Sequence, residues 1–221
     1  MLAWHFLPDD GRLQFGRRSK VNVGQTLRRD PNKLKLCVYG LHASVKPLDA
    51  IMYAPGSIIC RVKLGGRIIE GTDKCVASRR TVLWMADASR ELRLFGCWCV
   101  RNVELADGLK VWDLLTDERS KTAVEVAERY VDGLATGKEL IVARAAALVA
   151  AWHAARAARD AAWIAARVAS MNAAEVARDA AWIAAMVASM NAARVASWSV
   201  GTSTRDAENK ALERMLLALE E

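Results

Sequence analysis

The chain has 221 residues, 53% of them hydrophobic, and a net charge of +7 with a pI near 9.4. Much of the apolar fraction is alanine, and the alanine-rich stretch meets Arg, Asp, Glu or His within every ~18 residues, which excludes a membrane-crossing helix. Five cysteines, an odd number, and no apolar run behind a basic N-terminus give the expectation of a reduced, cytosolic protein without a secretion signal.

Residues 1–84 read as β-rich. The runs "LAWHFL" (2–7), "KLKLCVYG" (33–40), "SIICRVKLGG" (57–66) and "CVASRRTVLWM" (75–85) are strand candidates. Turn signals separate them at Pro8-Asp9-Asp10-Gly11, Asp30-Pro31-Asn32, Pro55-Gly56, Gly65-Gly66 and Gly71-Thr72-Asp73. A short helix is expected at "PLDAIMYA", with Pro47 at its first position.

The period then changes. Residues 87–106 place Leu92, Phe95, Trp98 or Cys99, and Asn102 or Val103 on helical spacing behind Asp87 or Ser89 as cap. A second helix over 120–132 turns Val124, Ala127, Tyr130 and Val131 inward. Both are expected to cover the sheet, which makes residues 1–135 a small α+β head.

"TGKE" at 136–139 is a capping box that opens a new helix. No Gly or Pro follows from 139 through 200, and Gly201 is the expected stop. Residues 159–177 and 178–196 repeat at 17 of 19 positions. Small residues advancing by four from Ala161 to Ala196 form a strip along which another backbone can approach closely. Four tryptophans, Trp152, Trp163, Trp182 and Trp198, add apolar area that a lone wet helix has no use for. Residues 136–200 are therefore expected to be an assembly arm, either one long helix or a hairpin folded near Asn172, that makes the protein a homo-oligomer. Residues 201–221 read as a separate short amphipathic helix with Leu212, Met215, Leu216 and Leu219 on its apolar stripe and Glu208 off it.

Motifs for nucleotide phosphates or zinc are absent: no P-loop, no G-x-G-x-x-G, no H-E-x-x-H and no C-x-x-C. No metal and no cofactor is expected. His153 reads as an ordinary residue of the arm. His5 and His42 lie in strand-like runs of the head, and Cys37 five residues before His42 allows a Cys/His pair to be drawn against the plainer reading of a buried thiol. Arg17, Arg18, Lys20, Arg28 and Arg29, with Lys33 and Lys35, gather cations opposed only by Asp30. Nucleic acid or another polyanion could meet them through phosphate contacts, and a solvated pair of basic loops is the favoured alternative.

The words "AWHFLPDDGRL", "GLHAS", "YAPGSIICRV" and "VLWMADAS", the Ala/Trp helix and the ending "NKALERMLLALEE" resemble an uncharacterised family of bacteriophage and prophage proteins. The resemblance implies phage origin, a host-cytoplasm setting and a non-enzymatic interaction protein that modulates host functions or anti-phage defence. A virion structural part is the alternative favoured by an extended arm. A second resemblance is to the ADP-ribosyltransferase fold, where a strand ending in histidine and a later Gly-aliphatic-aromatic-aliphatic-Ala word line the NAD pocket. "LAWHFL", "GLHAS", "PLDAIMYA" and "SIICRVKLGG" look like that order, but no glutamate occupies "CVASRRTVLW". This likeness implies a nucleotide-like ligand bound at His5, Gly40, Leu41 and His42, with catalysis lost.

Overall fold

The computed structural model describes residues 1–14, 19–104, 108–153 and 199–220. Among these the class is α+β: five strands in one antiparallel sheet, and helices. Two compact units divide the chain, Met1–Ser89 with Glu213–Glu221, and Arg90–Leu212.

In the first unit, β1 (Leu2–Leu7) spans the expected run. The two longest strands, β4 (Ile58–Glu70) and β5 (Cys75–Asp87), form a hairpin closed by the Gly71-Thr72-Asp73 turn, with the Gly71 amide donating to the Lys74 carbonyl at 2.8 Å. β1 pairs with β4, and the far side of β5 takes both β2 (Thr26–Arg28) and β3 (Leu41–Ala43). Immediately after β3, Ser44 and Trp4 exchange backbone hydrogen bonds of 2.7 and 3.0 Å. β1, β4, β5 and β3 therefore join in a ring. Register shifts at Arg61/Val62 and between Gly65 and Ile68 bend the long hairpin enough to allow it.

One face of this sheet is the apolar core, where Ala3, Leu7, Cys60, Val62, Leu64, Ala77 and Val82 gather. Helix α1 (Pro47–Ile51) starts at proline as expected, with Leu48, Ala50 and Ile51 buried. Two strand expectations need correction. Gly65-Gly66 does not end a strand; β4 runs through it, and the left-handed Gly66 at φ 70 makes a bulge in place of a turn. Residues 33–40 are a compact loop, not a strand, because Lys35 pairs back with Tyr39 over a turn whose Cys37 sits at φ 65.

In the second unit, α2 (Ser89–Asn102) and α3 (Glu118–Val131) match the periodicity. Leu92, Phe95, Cys99, Val124 and Ala127 are fully buried, as are Ser120 and Ala123. Arg101 on α2 reaches Glu128 on α3 with two hydrogen bonds of 2.6 and 2.7 Å. Tyr130, expected to face inward, is exposed, with the Arg93 guanidinium 5.4 Å from its ring centre. The capping box forms: the Glu139 amide donates to Thr136 Oγ1 at 3.2 Å, and the Thr136 amide donates to Glu139 Oε2 at 2.7 Å, opening α4 (Gly137–His153).

Helix α5 (Ser199–Leu217) passes straight through Gly201. A helical glycine costs about 1 kcal/mol, which the burial of Ala211, Leu212 and Leu216 further along the same helix outweighs. Glu208 is buried instead of lying off the apolar stripe. No described helix is long and apolar enough to cross a membrane. The repeat, the choice between long helix and hairpin, and the alanine strip proposed to hold an oligomer fall on residues outside those described.

Candidate functional site: a cation-lined cavity in the sheet unit

The ring of strands leaves a cavity of about 730 Å³ in the first unit. His5, Gly40, Leu41 and His42, which the sequence singled out by the place of the two histidines in strand-like runs and by the resemblance, all line it. Strand pairing explains the meeting. β1 carries His5 opposite Cys60, β3 carries His42 opposite Val76, and the Trp4–Ser44 bonds bring these two strands side by side.

Gly40 is required by the backbone. Its φ is 133, and a Cβ there would stand 2.2 Å from Val76 Cγ2 and 2.7 Å from Leu34 Cδ2. Only glycine lets the loop turn this close to β5 and enter β3. Upstream, the Cys37 amide donates to His42 Nε2 at 3.0 Å. That bond makes Nε2 the acceptor and fixes His42 as the Nδ1–H tautomer. Cys37 and His42 do meet, then, but through the backbone amide and not through sulfur.

The dominant charge comes from Arg80. "SRRTV" on β5 presents Arg79 to solvent and Arg80 to the interior, paired with buried Leu64 and with Leu27. Arg80 is 3% exposed. Its Nη1 donates to the His42 carbonyl at 2.6 Å, and its Nε has no hydrogen-bond partner among the described groups. No carboxylate pairs with it among the described residues. Burial lowers its pKa to about 10, with Arg29 adding to the effect and Cys60 opposing it, so the guanidinium stays charged at neutral pH.

Burial, the Arg80 charge and His42 together hold His5 well below the usual histidine range. Burial, Lys74 and Arg80 lower His42 in the same direction. Both imidazoles are thus neutral at pH 7 and able to accept or donate hydrogen bonds without adding charge.

At the rim, the Lys74 ammonium lies 3.9 Å from the Tyr53 ring centre, and the Tyr53 hydroxyl donates to Asp73. Cys37 lines the cavity together with Lys74. Arg29, exposed, lines the same cavity and donates to the Arg28 carbonyl at 2.9 Å. A guanidinium in the floor, an ammonium and a second guanidinium beside it, and two tyrosines, Tyr39 and Tyr53, along the wall suit an anion carrying a flat group. Among the described residues no three His, Cys, Asp or Glu side chains come together as a metal ion needs.

The other predicted cations are dispersed. Arg17 and Arg18 lie outside the described residues, and Lys20 is exposed beside Arg12 in an isolated bridge. Arg28 lines a separate, smaller cavity of about 260 Å³ with Lys63 and Arg79. Sequence reading missed Arg80 and Lys74. The available signal was the alternation of β5, which puts residue 80 on the same side as buried Val82.

Residues 9–93 match a family described as a domain of unknown function (DUF7666), and that is what this stretch is similar to. No curated protein and no solved structure matches the chain. The matched stretch takes in Cys37, His42, Lys74 and Arg80 but begins after the strand that carries His5.

Proposed function

We propose that this protein is a non-enzymatic binding protein whose head cavity takes an anionic, nucleotide-like small molecule. Arg80 carries the reading: a buried guanidinium without a carboxylate keeps a large desolvation penalty unless something anionic offsets it. His5, His42 and the Gly40 backbone form the adjoining wall, Lys74 and Arg29 draw the ligand in, and Tyr39 and Tyr53 offer faces for a base. The resemblance to the ADP-ribosyltransferase fold points to the same wall and the same ligand class. Phage origin, a host-cytoplasm setting and a role in modulating host functions or defence belong to this proposal through the phage-family resemblance.

Calorimetric titration of the full chain with ADP, inorganic pyrophosphate and adenosine tests it. ADP is expected to bind, pyrophosphate to compete, and adenosine to bind at least tenfold more weakly than ADP. Arg80→Leu, with its thermal transition retained, should lose at least tenfold in ADP affinity. Lys74→Gln, a rim change that leaves the fold intact, should lose two- to fivefold and flatten the salt dependence. Equal affinity for ADP and adenosine, or no binding of either phosphate compound, overturns the reading.

A further inference from the structure

The five cysteines divide sharply. Cys60, Cys75, Cys97 and Cys99 are buried, and Cys37 is exposed. Burial pushes the thiols of Cys60 and Cys97 up to about 12 and raises those of Cys75 and Cys99, which makes all four poor nucleophiles. Cys37 stands at the tip of the 35–39 loop, in the wall of the cation-lined cavity. Its backbone is the one described non-glycine residue in the left-handed region, held there by the amide bond to His42.

Two cations share its cavity. Lys74 lines the same wall, its ammonium 3.9 Å from the Tyr53 ring centre. Deeper in the same cavity, the buried Arg80 leaves its Nε without a partner. A cation beside sulfur stabilises the negative charge that spreads over three sulfurs in thiol–disulfide exchange. A cationic floor selects which disulfides arrive: those that carry carboxylates.

We propose that Cys37 is a site of reversible S-thiolation by anionic low-molecular-weight disulfides of the oxidised-glutathione class, guided by Lys74 and Arg80. The Cys37 thiolate attacks one sulfur of the disulfide in line with the S–S bond. A new S–S bond forms to Cys37 as the old one breaks, and the electron pair of the broken bond leaves on the departing thiolate, which takes its proton from solvent. Cys37 is oxidised and the disulfide is reduced. The attached group then occupies the cavity, so thiolation and binding of an anionic ligand exclude each other. The proposal rests on the preference of the cavity for anions inferred above, and it adds covalent chemistry that this reading does not need.

The test compares two chromogenic disulfides on the full reduced chain: the dianionic bis(carboxynitrophenyl) disulfide and the uncharged dipyridyl disulfide. Release of the leaving thiol gives the rate, and peptide mapping gives the site. A short peptide with the sequence around Cys37 sets the intrinsic ratio of the two rates. The folded chain is expected to prefer the dianionic reagent by at least tenfold over that ratio, to lose the preference at high salt, and to carry the group on Cys37. Lys74→Gln should reduce the preference at least threefold with the thermal transition unchanged. A ratio equal to the peptide's, or adducts distributed over the buried cysteines of the native chain, overturns the proposal. ADP binding with a flat reagent ratio sinks the thiolation proposal alone, whereas a steep ratio without ADP binding sinks the nucleotide reading alone.

Discussion

Glu208 has no solvent exposure, and neither of its carboxyl oxygens has a hydrogen-bond partner among the described residues. Burial pushes its pKa up to about 8, against a smaller opposing pull from Arg205. The unfolded chain releases this proton near the ordinary carboxylate value of about 4.3. Between that value and about 8 the folded chain holds more protons than the unfolded one, so stability falls as pH rises through this window. From pH ~6.5 upward the unfolded chain still sheds its last histidine protons, which opposes the fall, and near pH ~8.5 it ionises thiols that burial keeps protonated in the fold, which adds to it, so the glutamate is read as the difference between wild type and Glu208→Gln. The melting temperature is expected to drop from pH 6.5 to 8.5, and Glu208→Gln should flatten that limb; thermal unfolding by circular dichroism across the series checks it, with an unchanged slope counting against it. The helical pattern placed Glu208 off the apolar stripe because periodicity ranks faces by average polarity and cannot register what packs over a given position. Arg80 escaped for the same reason: side-chain alternation was there in "SRRTV", but a charged residue is not expected on the inward register.

At the scale of elements, local rules did best where one residue type dictates geometry. Pro47 opened α1, Thr136 and Glu139 capped α4, and the run "LAWHFL" became β1 over the expected span. They failed where two local signals conflicted. Apolar content in "KLKLCVYG" argued for a strand, yet Lys35 and Tyr39 bond to each other across a tight loop. Likewise a glycine pair inside a long strand reads as a stop, whereas here it accommodates a bend. The loop itself makes a sharp prediction. Gly40→Ala would drive a methyl group into Val76 and Leu34, displacing the segment that joins Cys37 to His42. Overpacking of this kind costs roughly 1–3 kcal/mol. The expected result is a melting point lowered by several degrees together with at least a tenfold loss of ADP affinity. Gly24→Ala, at a left-handed turn where a Cβ meets nothing within 4 Å, controls for backbone strain without crowding.

For the whole molecule, the α+β class was legible because β-rich and helical periods occupy separate stretches of chain. The composition of the compact units was not. Residues 213–221 belong with the sheet unit although well over a hundred positions separate them from it in sequence, and no local pattern encodes such a return. The arm yields its own prediction from sequence. The alanine strip, with four large tryptophans beside it, is proposed to hold copies of the chain together. Light scattering should then give a mass that is a multiple of 24.2 kDa. Ala169→Glu with Ala188→Glu introduces bulk and charge on the strip while keeping good helix formers, so the mass should fall to one chain with helicity retained. A wild-type mass of a single chain rejects the assembly and leaves a hairpin within one chain as the account of the strip.

The clasp between Trp4 and Ser44 is made by backbone groups alone. No side-chain exchange at either position can delete those two bonds, with the exception of proline, which lacks the amide hydrogen. Among natural variants, position 44 should therefore be filtered by volume, since Ser44 is buried, and by the exclusion of proline, but not by any demand for a hydroxyl. A cavity closed in this manner keeps its wall while its lining drifts. The same ring can then be retuned from one anion to another by substitutions at positions such as 14, 29, 39 and 74, without renegotiating the fold that encloses it.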